Sequence, residues 1–237
     1  MTADEPDLSA VVLCFRAGES IQQVLGPLRE LLDESGASHE MVLVANYWEN
    51  DNDPTPSIVR RYASEHDRVR VVDQPKCGGM GWDMRAGFEA ASGRYVVVID
   101  GDAQNPVEDV LRIYALLRDG DYEVMKGRRT IRHDGLYRRT ISFGYNAIFR
   151  LMFRTWGLWD INGKPKAVTR RALEAMCLRS DDWFIDAEIV LEARRLGLRI
   201  GEMPVVFREN KDRSSFVRIS AIWEFLANML RRRFGRT

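Results

Sequence analysis

The sequence predicts an α/β protein with a mostly parallel sheet that helices flank. Short apolar runs alternate with segments of ten or more residues whose apolar positions recur at helical spacing, which is typical of βαβ units. The run at residues 95–99 is apolar throughout, as expected for a strand that is buried on both faces. No linker-like stretch divides the 237 residues, so we predict a single domain.

The amino-terminal half supplies four strands, each followed by a helix. Gly18 ends the first apolar run, Pro54 and Pro56 open the second helix, and a glycine-rich turn at 77–81 precedes the third. Pro106 and the acidic residues after it are typical of the first turn of the fourth helix. The predicted strands are residues 10–15, 41–45, 69–72 and 95–100, with a fifth at 122–126.

After Gly127 the alternation changes. We predict a long helix at 137–153, a short strand at 166–169, a helix at 186–196 that Gly197 ends, and an extended segment at 198–206. A last helix at 215–233 is amphipathic and carries arginines at its end. We therefore assign residues 1–214 to the main domain and residues 215–237 to a basic, amphipathic carboxyl-terminal helix.

Composition narrows the partners and the compartment. Lysine plus arginine and aspartate plus glutamate both number 35, so the overall charge does not suggest a nucleic-acid partner. The three cysteines are too widely spaced for a zinc pattern or a disulfide framework. No signal peptide and no apolar run near the ~20 residues of a membrane span occur. We expect a cytoplasmic protein.

Two aspartates follow the apolar run at 95–99 directly. Asp100 is predicted at the carboxyl end of the strand and Asp102 just beyond it, at the sheet edge where open α/β folds bind ligands. Carboxylates in this spacing can bind a hard divalent cation and leave positions for water or phosphate oxygens. We therefore predict a Mg²⁺ or Mn²⁺ site at Asp100 and Asp102. The alternative is a strand that ends in a polar turn.

The order of motifs resembles the family 2 glycosyltransferases with a GT-A (Rossmann-like) fold. Within that family it looks most like the dolichyl- or polyprenyl-phosphate sugar transferases. The resemblance extends from Val11 to about Trp223, and its strongest part is the stretch 98–106, similar to the family's Asp-x-Asp-x-Gln-x-Pro. The other matching segments are residues 126–129, 160–166, 183–188 and 202–205, together with the glycine-rich turn that leads to Arg85, Ala86 and Gly87.

The resemblance implies a metal-dependent enzyme that takes a sugar from a nucleotide-diphosphate donor, such as GDP-mannose or a UDP-sugar. Asp102 would be catalytic by holding the cation that stabilises the leaving diphosphate, and Asp100 would assist. Arg85 and Gln104 are assigned to the donor site, although Gln104 suits an ordinary turn equally well.

Two departures from the family pattern affect the donor site. The first motif keeps Glu19 but lacks the usual asparagine before it. The second strand ends in Asn46 and the loop 47–51, where the family usually has two adjacent aspartates. Those carboxylates normally face the base and ribose, so we expect Asn46 to hold the nucleotide base in a different way.

Arg129, Arg138 and Ser142 form the expected acceptor site. Arg138 and Ser142 lie four residues apart and share a face if the segment is helical. Arginine forks suit phosphate oxygens, and the resemblance implies that such residues bind the phosphate of a lipid acceptor. A phosphate is already anionic and needs no general base. The alternative is a solvated helix face.

Asp186 and Glu188 are the other acidic pair. If the acceptor were a saccharide hydroxyl, one of them would be the natural general base. In a phosphate-acceptor enzyme either could position the donor or the acceptor, and simple charge placement at a helix start is a further alternative.

We therefore predict transfer of a sugar from a nucleotide sugar to a polyprenyl phosphate, with inversion. The alternatives are transfer to a saccharide hydroxyl and a non-catalytic nucleotide-sugar-binding protein. The last helix is predicted to lie on the inner face of a membrane, because its apolar face is followed by arginines. Packing on the sheet is the alternative. The apolar face comprises Phe216, Ile219, Ile222, Trp223, Leu226, Met229 and Leu230, and the basic residues are Arg231, Arg232, Arg233 and Arg236, with Lys211, Arg213 and Arg218 nearby.

Overall fold

The computed structural model describes residues 5–132, 136–208 and 219–234, with side chains except at 132, 136–139, 141 and 219–224. The described part of the chain contains one seven-stranded sheet in the order β3-β2-β1-β4-β6-β5-β7. The strands are β1 (Leu8–Leu13), β2 (His39–Val44), β3 (Val69–Val72), β4 (Tyr95–Asp100), β5 (Val124–Arg132), β6 (Lys166–Thr169) and β7 (Ile200–Phe207).

Most neighbouring strands are parallel, and β6 is the exception. β6 lies between β4 and β5 and is antiparallel to both, while β5 and β7 are parallel. The helices are α1 (Gln22–Glu34), α2 (Thr55–Ser64), α3 (Met80–Ala90), α4 (Glu108–Asp119), α5 (Leu136–Phe153), α6 (Arg170–Ala175), α7 (Ile185–Arg195) and α8 (Ile219–Phe234), with a 3-10 turn at Gly18–Ile21. The predicted mostly parallel α/β domain is therefore confirmed.

Alternating side chains of the central strands pack on the two faces of the sheet. In β1, Ala10 and Val12 join one apolar cluster with α1 and α4, whereas Val11 and Leu13 join a second cluster with α3 and α7. Each fully buried Val or Leu contributes about 1.5–3 kcal/mol relative to an exposed one. This burial on both faces explains why the strand segments are apolar without polar alternation.

Strand β5 is longer than predicted. We expected it to end at Lys126, but it pairs with β7 as far as Arg132 opposite Phe207, with an irregularity after Arg129. The polar run at 127–130 hid this extension because the strand there is stabilised by pairing with β7 rather than by burial of its own side chains. Helix α6 was also not predicted, since six residues are too few to show a helical period.

The carboxyl-terminal helix packs on the domain through part of its surface. Met229 is fully buried and joins a cluster with Phe149 of α5, and the rings of Phe225 and Tyr145 lie 4.8 Å apart. Leu230, predicted on the same apolar face, is 52% exposed. In the part of the chain that the structure describes, no helix has both the length and the apolar character that crossing a membrane requires.

Several residues of the predicted membrane face cannot be compared with the structure. The proposed boundary at residue 214, Lys211, Arg213, Phe216, Arg218 and Arg236 lie outside the described residues, as do the side chains of Ile219, Ile222 and Trp223.

Candidate active site at the carboxyl edge of the sheet

The site lies where β1 and β4 end side by side. Asp100 is the last residue of β4 and is paired in register with Leu13, the last residue of β1. Because β6 runs antiparallel, the segment that leads into β6 arrives at this same edge. The edge therefore gathers the ends of parallel strands and the beginning of one antiparallel strand, which is where open α/β sheets bind ligands.

The turn after β4 is held rigidly. The Gly101 N–H donates to the Leu13 carbonyl at 2.9 Å, and a side chain at position 101 would come within 2.5 Å of Ile21. Ala103 adopts a φ of 59°, and the Gln104 N–H donates to Asp102 Oδ1 at 3.0 Å. Sequence-distant contacts thus fix the position of Asp102 just beyond the strand.

A buried lysine reaches this turn from the segment before β6. Lys164 Nζ donates to Asp100 Oδ1 at 2.7 Å and lies 3.1 Å from Met80 Sδ. Burial alone lowers the pKa of Lys164, but the carboxylates of Asp100 and Asp186 outweigh burial and raise it. Lys164 is therefore a fixed positive charge beside the predicted metal site, and the sequence had offered only its place in the 160–166 motif.

The backbone around Lys164 is equally constrained. Its carbonyl accepts a hydrogen bond from Asn105 Nδ2 at 2.8 Å. A methyl carbon on Gly127 would lie 2.3 Å from that carbonyl oxygen, and one on Gly163 would lie 1.8 Å from the Gly127 oxygen. Only glycine permits β5 and the 160–165 segment to approach so closely, so the two glycines fix where the lysine enters.

Asp100 and Asp102 suit a hard divalent cation in the chemistry of their oxygens. The Asp100 side chain is one-third exposed and Asp102 is partly exposed, so water and ligand oxygens can reach both. Among the described residues no group of three or more His, Cys, Asp or Glu side chains is arranged to hold a metal ion. Within the described residues, Asp100 and Asp102 would therefore supply one or two carboxylates, a number that suits Mg²⁺, which keeps several positions for water and phosphate.

Asn46, at the end of β2, is buried and engaged at both ends of its amide. Its Nδ2 donates to Asp83 Oδ1 at 2.9 Å, and its Oδ1 accepts from the Gln74 N–H at 2.9 Å. Lys76 donates to the other carboxylate oxygen of Asp83. The carboxylate that is absent from the end of β2 is thus matched by one on α3. Contact between the Asn46 side chain and a nucleotide base stays a prediction.

Two aromatic rings lie close to Lys76, the lysine that pairs with Asp83. Lys76 Nζ lies 3.9 Å from the centre of the Phe15 ring and 5.9 Å from that of Trp48, which is 41% exposed. Glu19 is exposed in the 3-10 turn. Arg16 holds the loop after β2 in place by an ion pair with Asp51 at 2.7 Å.

The loop before α7 covers the glycine-rich turn. The Asp181 carbonyl accepts hydrogen bonds from the N–H groups of Gly79 at 2.7 Å and Trp82 at 3.2 Å. Arg85, which we assigned to the donor, forms an ion pair with Asp181 at 2.9 Å. Gln104 Nε2 donates to the Arg208 carbonyl at 3.0 Å, so it joins the turn after β4 to the end of β7.

Asp186 and Glu188 are both buried, with 2% and 3% of their surface exposed. Asp186 Oδ1 accepts from Lys166 Nζ at 2.5 Å. Glu188 Oε2 accepts from the N–H groups of Arg179 and Ser180 at 2.9 and 2.8 Å. Burial lowers the pKa of Lys166 to about 8 although Asp186 raises it. The structure thus assigns both carboxylates to internal contacts, and a role as general base stays a prediction.

Arg129 lies at the same edge but is bound to a carboxylate. Its guanidinium donates to both oxygens of Asp160 at 2.7 Å each. Burial alone raises the pKa of Asp160, but Arg129 and Lys126 outweigh burial and lower it to about 2. Such a bidentate pair fixes the guanidinium plane, so Arg129 is positioned before any ligand arrives.

One face of α5 continues this polar region. Asn146 Nδ2 donates to the Ser142 carbonyl at 2.7 Å, Asn146 Oδ1 accepts from the Ile161 N–H at 2.9 Å, and Arg150 Nε donates to the Asn146 carbonyl at 3.3 Å. Positions 142, 146 and 150 are four apart and share a face. The side chain of Arg138, one step earlier on this face, lies outside the described residues.

Comparisons with known proteins show the family of the chain. The model of the family described as "Glycosyl transferase family 2" matches residues 9–176. Glycosyltransferase AglD of Haloferax volcanii is 29% identical over 89% of this chain and 34% of its own length. Dolichyl-phosphate beta-glucosyltransferase ALG5A of Trichomonas vaginalis is 25% identical over 85% and 66%. Undecaprenyl-phosphate 4-deoxy-4-formamido-L-arabinose transferase of Proteus mirabilis is 28% identical over 71% and 51%. The chain spans only a third to two thirds of these relatives.

Solved structures share the fold. Glucosyl-3-phosphoglycerate synthase from Mycobacterium tuberculosis, crystallised with Mn²⁺, UDP and phosphoglyceric acid, has a TM-score of 0.76 at 20% identity, over 98% of this chain and 80% of that one. The same enzyme with Mg²⁺ and UDP gives a TM-score of 0.74 at 18% identity, over 98% and 81%. The predicted family resemblance and fold are confirmed: the chain belongs to glycosyl transferase family 2.

Proposed function

We propose that the protein transfers a sugar from a nucleotide-diphosphate donor to a polyprenyl phosphate, with inversion and with a divalent cation. The names of two curated relatives state dolichyl-phosphate or undecaprenyl-phosphate chemistry, and the structural neighbours were crystallised with UDP and with Mn²⁺ or Mg²⁺. These facts concern those proteins, and they support the same substrate classes here.

The observation that carries the proposal is the contrast between engaged carboxylates and available cations. A hydroxyl acceptor needs a base to remove its proton, yet Asp186 and Glu188 are buried and hold internal partners. A phosphate acceptor needs positive charge rather than a base. We expect arginines of β5 and α5 to supply that charge.

The reaction itself requires one displacement. An oxygen of the acceptor phosphate attacks the anomeric carbon, the bond from that carbon to the donor diphosphate breaks, and the nucleoside diphosphate leaves with the electron pair. A single displacement inverts the anomeric centre. Asp102, helped by Asp100, would hold Mg²⁺ or Mn²⁺, which when bound supplies positive charge to the leaving diphosphate.

Asp100 shares its charge with Lys164, and the partly exposed Asp102 is our candidate for direct coordination. The fixed positive charge of Lys164 would also lie close to donor phosphates bound at this turn. Phe15, Trp48 and Lys76 would line the base side of the donor. We place the protein in the cytoplasm, at the inner face of a membrane, where a polyprenyl phosphate presents its phosphate.

The test begins with donor binding. Thermal unfolding is measured with UDP, GDP and their sugars, with and without Mn²⁺; a ligand at 100 times its dissociation constant stabilises by about 2.7 kcal/mol. The donor that stabilises the protein is then offered with farnesyl phosphate, with farnesol and with a disaccharide. We expect product with farnesyl phosphate only, and none in EDTA.

Each of the other outcomes would indicate a different function. Product with the disaccharide and not with farnesyl phosphate would establish a hydroxyl acceptor and require Asp186 or Glu188 to act as a base. Stabilisation by a donor without turnover on any acceptor would establish a nucleotide-sugar-binding protein.

A further inference from the structure

We propose that Arg128, Arg150 and Trp159, here called the Trp159 cluster, bind the phosphate of an isoprenoid phosphate acceptor. This inference rests on the proposed function and names the acceptor site within it. None of the three side chains was singled out by the sequence, because they come from β5, from α5 and from the loop after α5.

The cluster is defined by two cation–π contacts on one ring. The guanidinium carbon of Arg150 lies 4.6 Å from the centre of the Trp159 ring, and that of Arg128 lies 5.1 Å from it. Trp159 is 51% exposed, so the ring does not serve as a core residue. The contact with the ring instead gives both guanidiniums a defined place at the surface.

The backbone of Trp159 is anchored from below. The N–H groups of Trp159 and Asp160 donate to Glu202 Oε1 at 2.8 and 3.1 Å, and Lys126 pairs with the same carboxylate. Lys126 is fully buried. An exposed aromatic ring on a backbone that is tied to a buried ion pair is a preorganised surface rather than a loose loop.

The electrostatics of the cluster favour an anion. Among the side chains that the structure describes, no carboxylate forms an ion pair with Arg128 or Arg150. The neighbouring Arg129, in contrast, forms a bidentate ion pair with Asp160. Two guanidiniums on one ring repel each other, and an anion bound between or beside them would offset that repulsion. A phosphate offers oxygens that match two guanidinium forks.

The surroundings of the cluster suit an isoprenoid chain. Leu151, which follows Arg150 in α5, is 71% exposed, and Trp156, in the loop that leads to Trp159, is 67% exposed. Large apolar side chains so exposed in the segments that carry two of the cluster residues match a ligand with a charged head and an apolar tail. A saccharide or a free phosphate would use the cations and leave this apolar surface in water.

The test uses farnesyl phosphate as the probe. Its dissociation constant is measured by calorimetry without donor, and its KM is measured in the transfer assay. We expect Arg128→Gln combined with Arg150→Gln to raise both values at least tenfold while the donor KM stays unchanged, because charge-assisted hydrogen bonds are lost. Trp159→Ala should raise both values by a smaller factor. Arg171→Gln, an exposed arginine on α6, is the matched control and should change neither.

Two further probes separate the parts of the ligand. Inorganic phosphate should bind the wild type at least tenfold more weakly than farnesyl phosphate, and farnesol should show no loss of affinity in the double variant. Equal affinity for inorganic phosphate and farnesyl phosphate would overturn the assignment of the isoprenoid chain, and with it the proposal.

Failure of this inference can be told from failure of the proposed function. Wild-type transfer with an unchanged farnesyl phosphate KM in the double variant would overturn the inference alone. Farnesyl phosphate binding that is lost in the double variant, without any transfer by the wild type, would uphold the cluster and overturn the function. If the double variant does not fold, Arg128→Lys with Arg150→Lys keeps the charges without the forks. Its farnesyl phosphate affinity should fall severalfold, and an unchanged value would overturn the proposal.

Discussion

Lys164 Nζ lies 2.7 Å from Asp100 Oδ1, where the sequence predicted a metal site. One of the two aspartates therefore already shares its charge with a buried protein cation. The lysine and a metal ion would compete for the same carboxylate, so we expect the affinity of the predicted site for a cation to be lower than that of two unpaired aspartates. A nucleotide diphosphate, whose oxygens can contact both cations, would relieve that competition.

Replacing the lysine should strengthen metal binding. Lys164→Gln removes a positive charge from the edge of the site, so Mn²⁺ should bind without nucleotide on the order of tenfold more tightly. Calorimetric titration with Mn²⁺ measures this affinity, and Arg171→Gln serves as the control. An unchanged or weaker affinity would show that Lys164 does not contend with the metal ion.

Replacing Asp102 should abolish most of the activity. Asp102→Asn keeps the volume and the acceptor for the Gln104 N–H, but it removes the charge. We expect sugar transfer to fall by on the order of 10² or more and the stabilisation by nucleotide to lose its dependence on Mn²⁺. Asp119→Asn, on the exposed end of α4, should leave both unchanged. Wild-type turnover in the Asp102 variant, or full activity in EDTA, would refute the metal site.

Restoring the family's carboxylate at the end of β2 should destabilise the fold. Asn46→Asp places a second carboxylate against Asp83 in a buried position, with an expected loss of about 2–4 kcal/mol. Combining it with Asp83→Asn restores one charge and one amide and should recover much of that loss. Urea unfolding measures both variants. A stable single variant, or a double variant no better than the single, would disprove this account of Asn46.

The Arg129–Asp160 pair should make stability depend on acid pH. The pKa of Asp160 is lowered to about 2, so its contribution is complete above the ordinary aspartate value of about 4 and is lost as the pH falls towards 2. Asp160→Asn should be less stable by about 2 kcal/mol at pH 6, and the difference should narrow between pH 4 and pH 2. Urea unfolding across this range measures the difference in the free energy of unfolding, and Asp67→Asn, at an exposed aspartate, serves as the control. A difference that is constant with pH would exclude the pair as its source.

Substitutions on the buried and on the exposed face of α8 should have different effects. Met229→Ser introduces a hydroxyl into a buried cluster and should lower the melting temperature. Leu230→Ser combined with Phe234→Ser changes side chains that are 52% and 72% exposed, so the melting temperature should stay unchanged. The double variant should float less with anionic liposomes, because it loses the exposed apolar side chains that lie beside Arg231 and Arg233 on the outer face. A wild-type chain that floats with neither anionic nor neutral liposomes would rule out the predicted membrane contact.

Local periodicity was sufficient to predict most of the fold. The strand that ends at Asp100 and the helices with long apolar repeats follow from the burial of their own side chains. The extension of β5 does not, because its pairing partner lies more than 70 residues away in β7. For the same reason the sequence revealed Asp100 and Asp102 as a motif but not Lys164, which meets Asp100 across 64 residues.

Internal ion pairs and hydrogen bonds account for the other features of the site that the sequence did not predict. A sequence shows that Asp186 and Glu188 are acidic, but not that Lys166 and the backbone at 179–180 meet them inside the protein. From the sequence Asn46 is likewise predicted only to contact the base, and its hydrogen bond to Asp83, which also pairs with Lys76, depends on the fold. Paired burial is a property of three-dimensional neighbours, and residue type alone does not reveal it.

The antiparallel course of β6 has a consequence for how acceptors can be changed. Trp159 and Lys164 lie in the loop that precedes β6. Because β6 is antiparallel to its neighbours, this loop lies at the carboxyl edge of the parallel strands, where the candidate active site is. At its start, Gly157 has open space around it and a φ of 93°. Insertions beside Gly157 could therefore remodel what the enzyme accepts while the strand order and the aspartate turn stay as they are. The proposed donor and acceptor sites could thus diversify separately on one sheet.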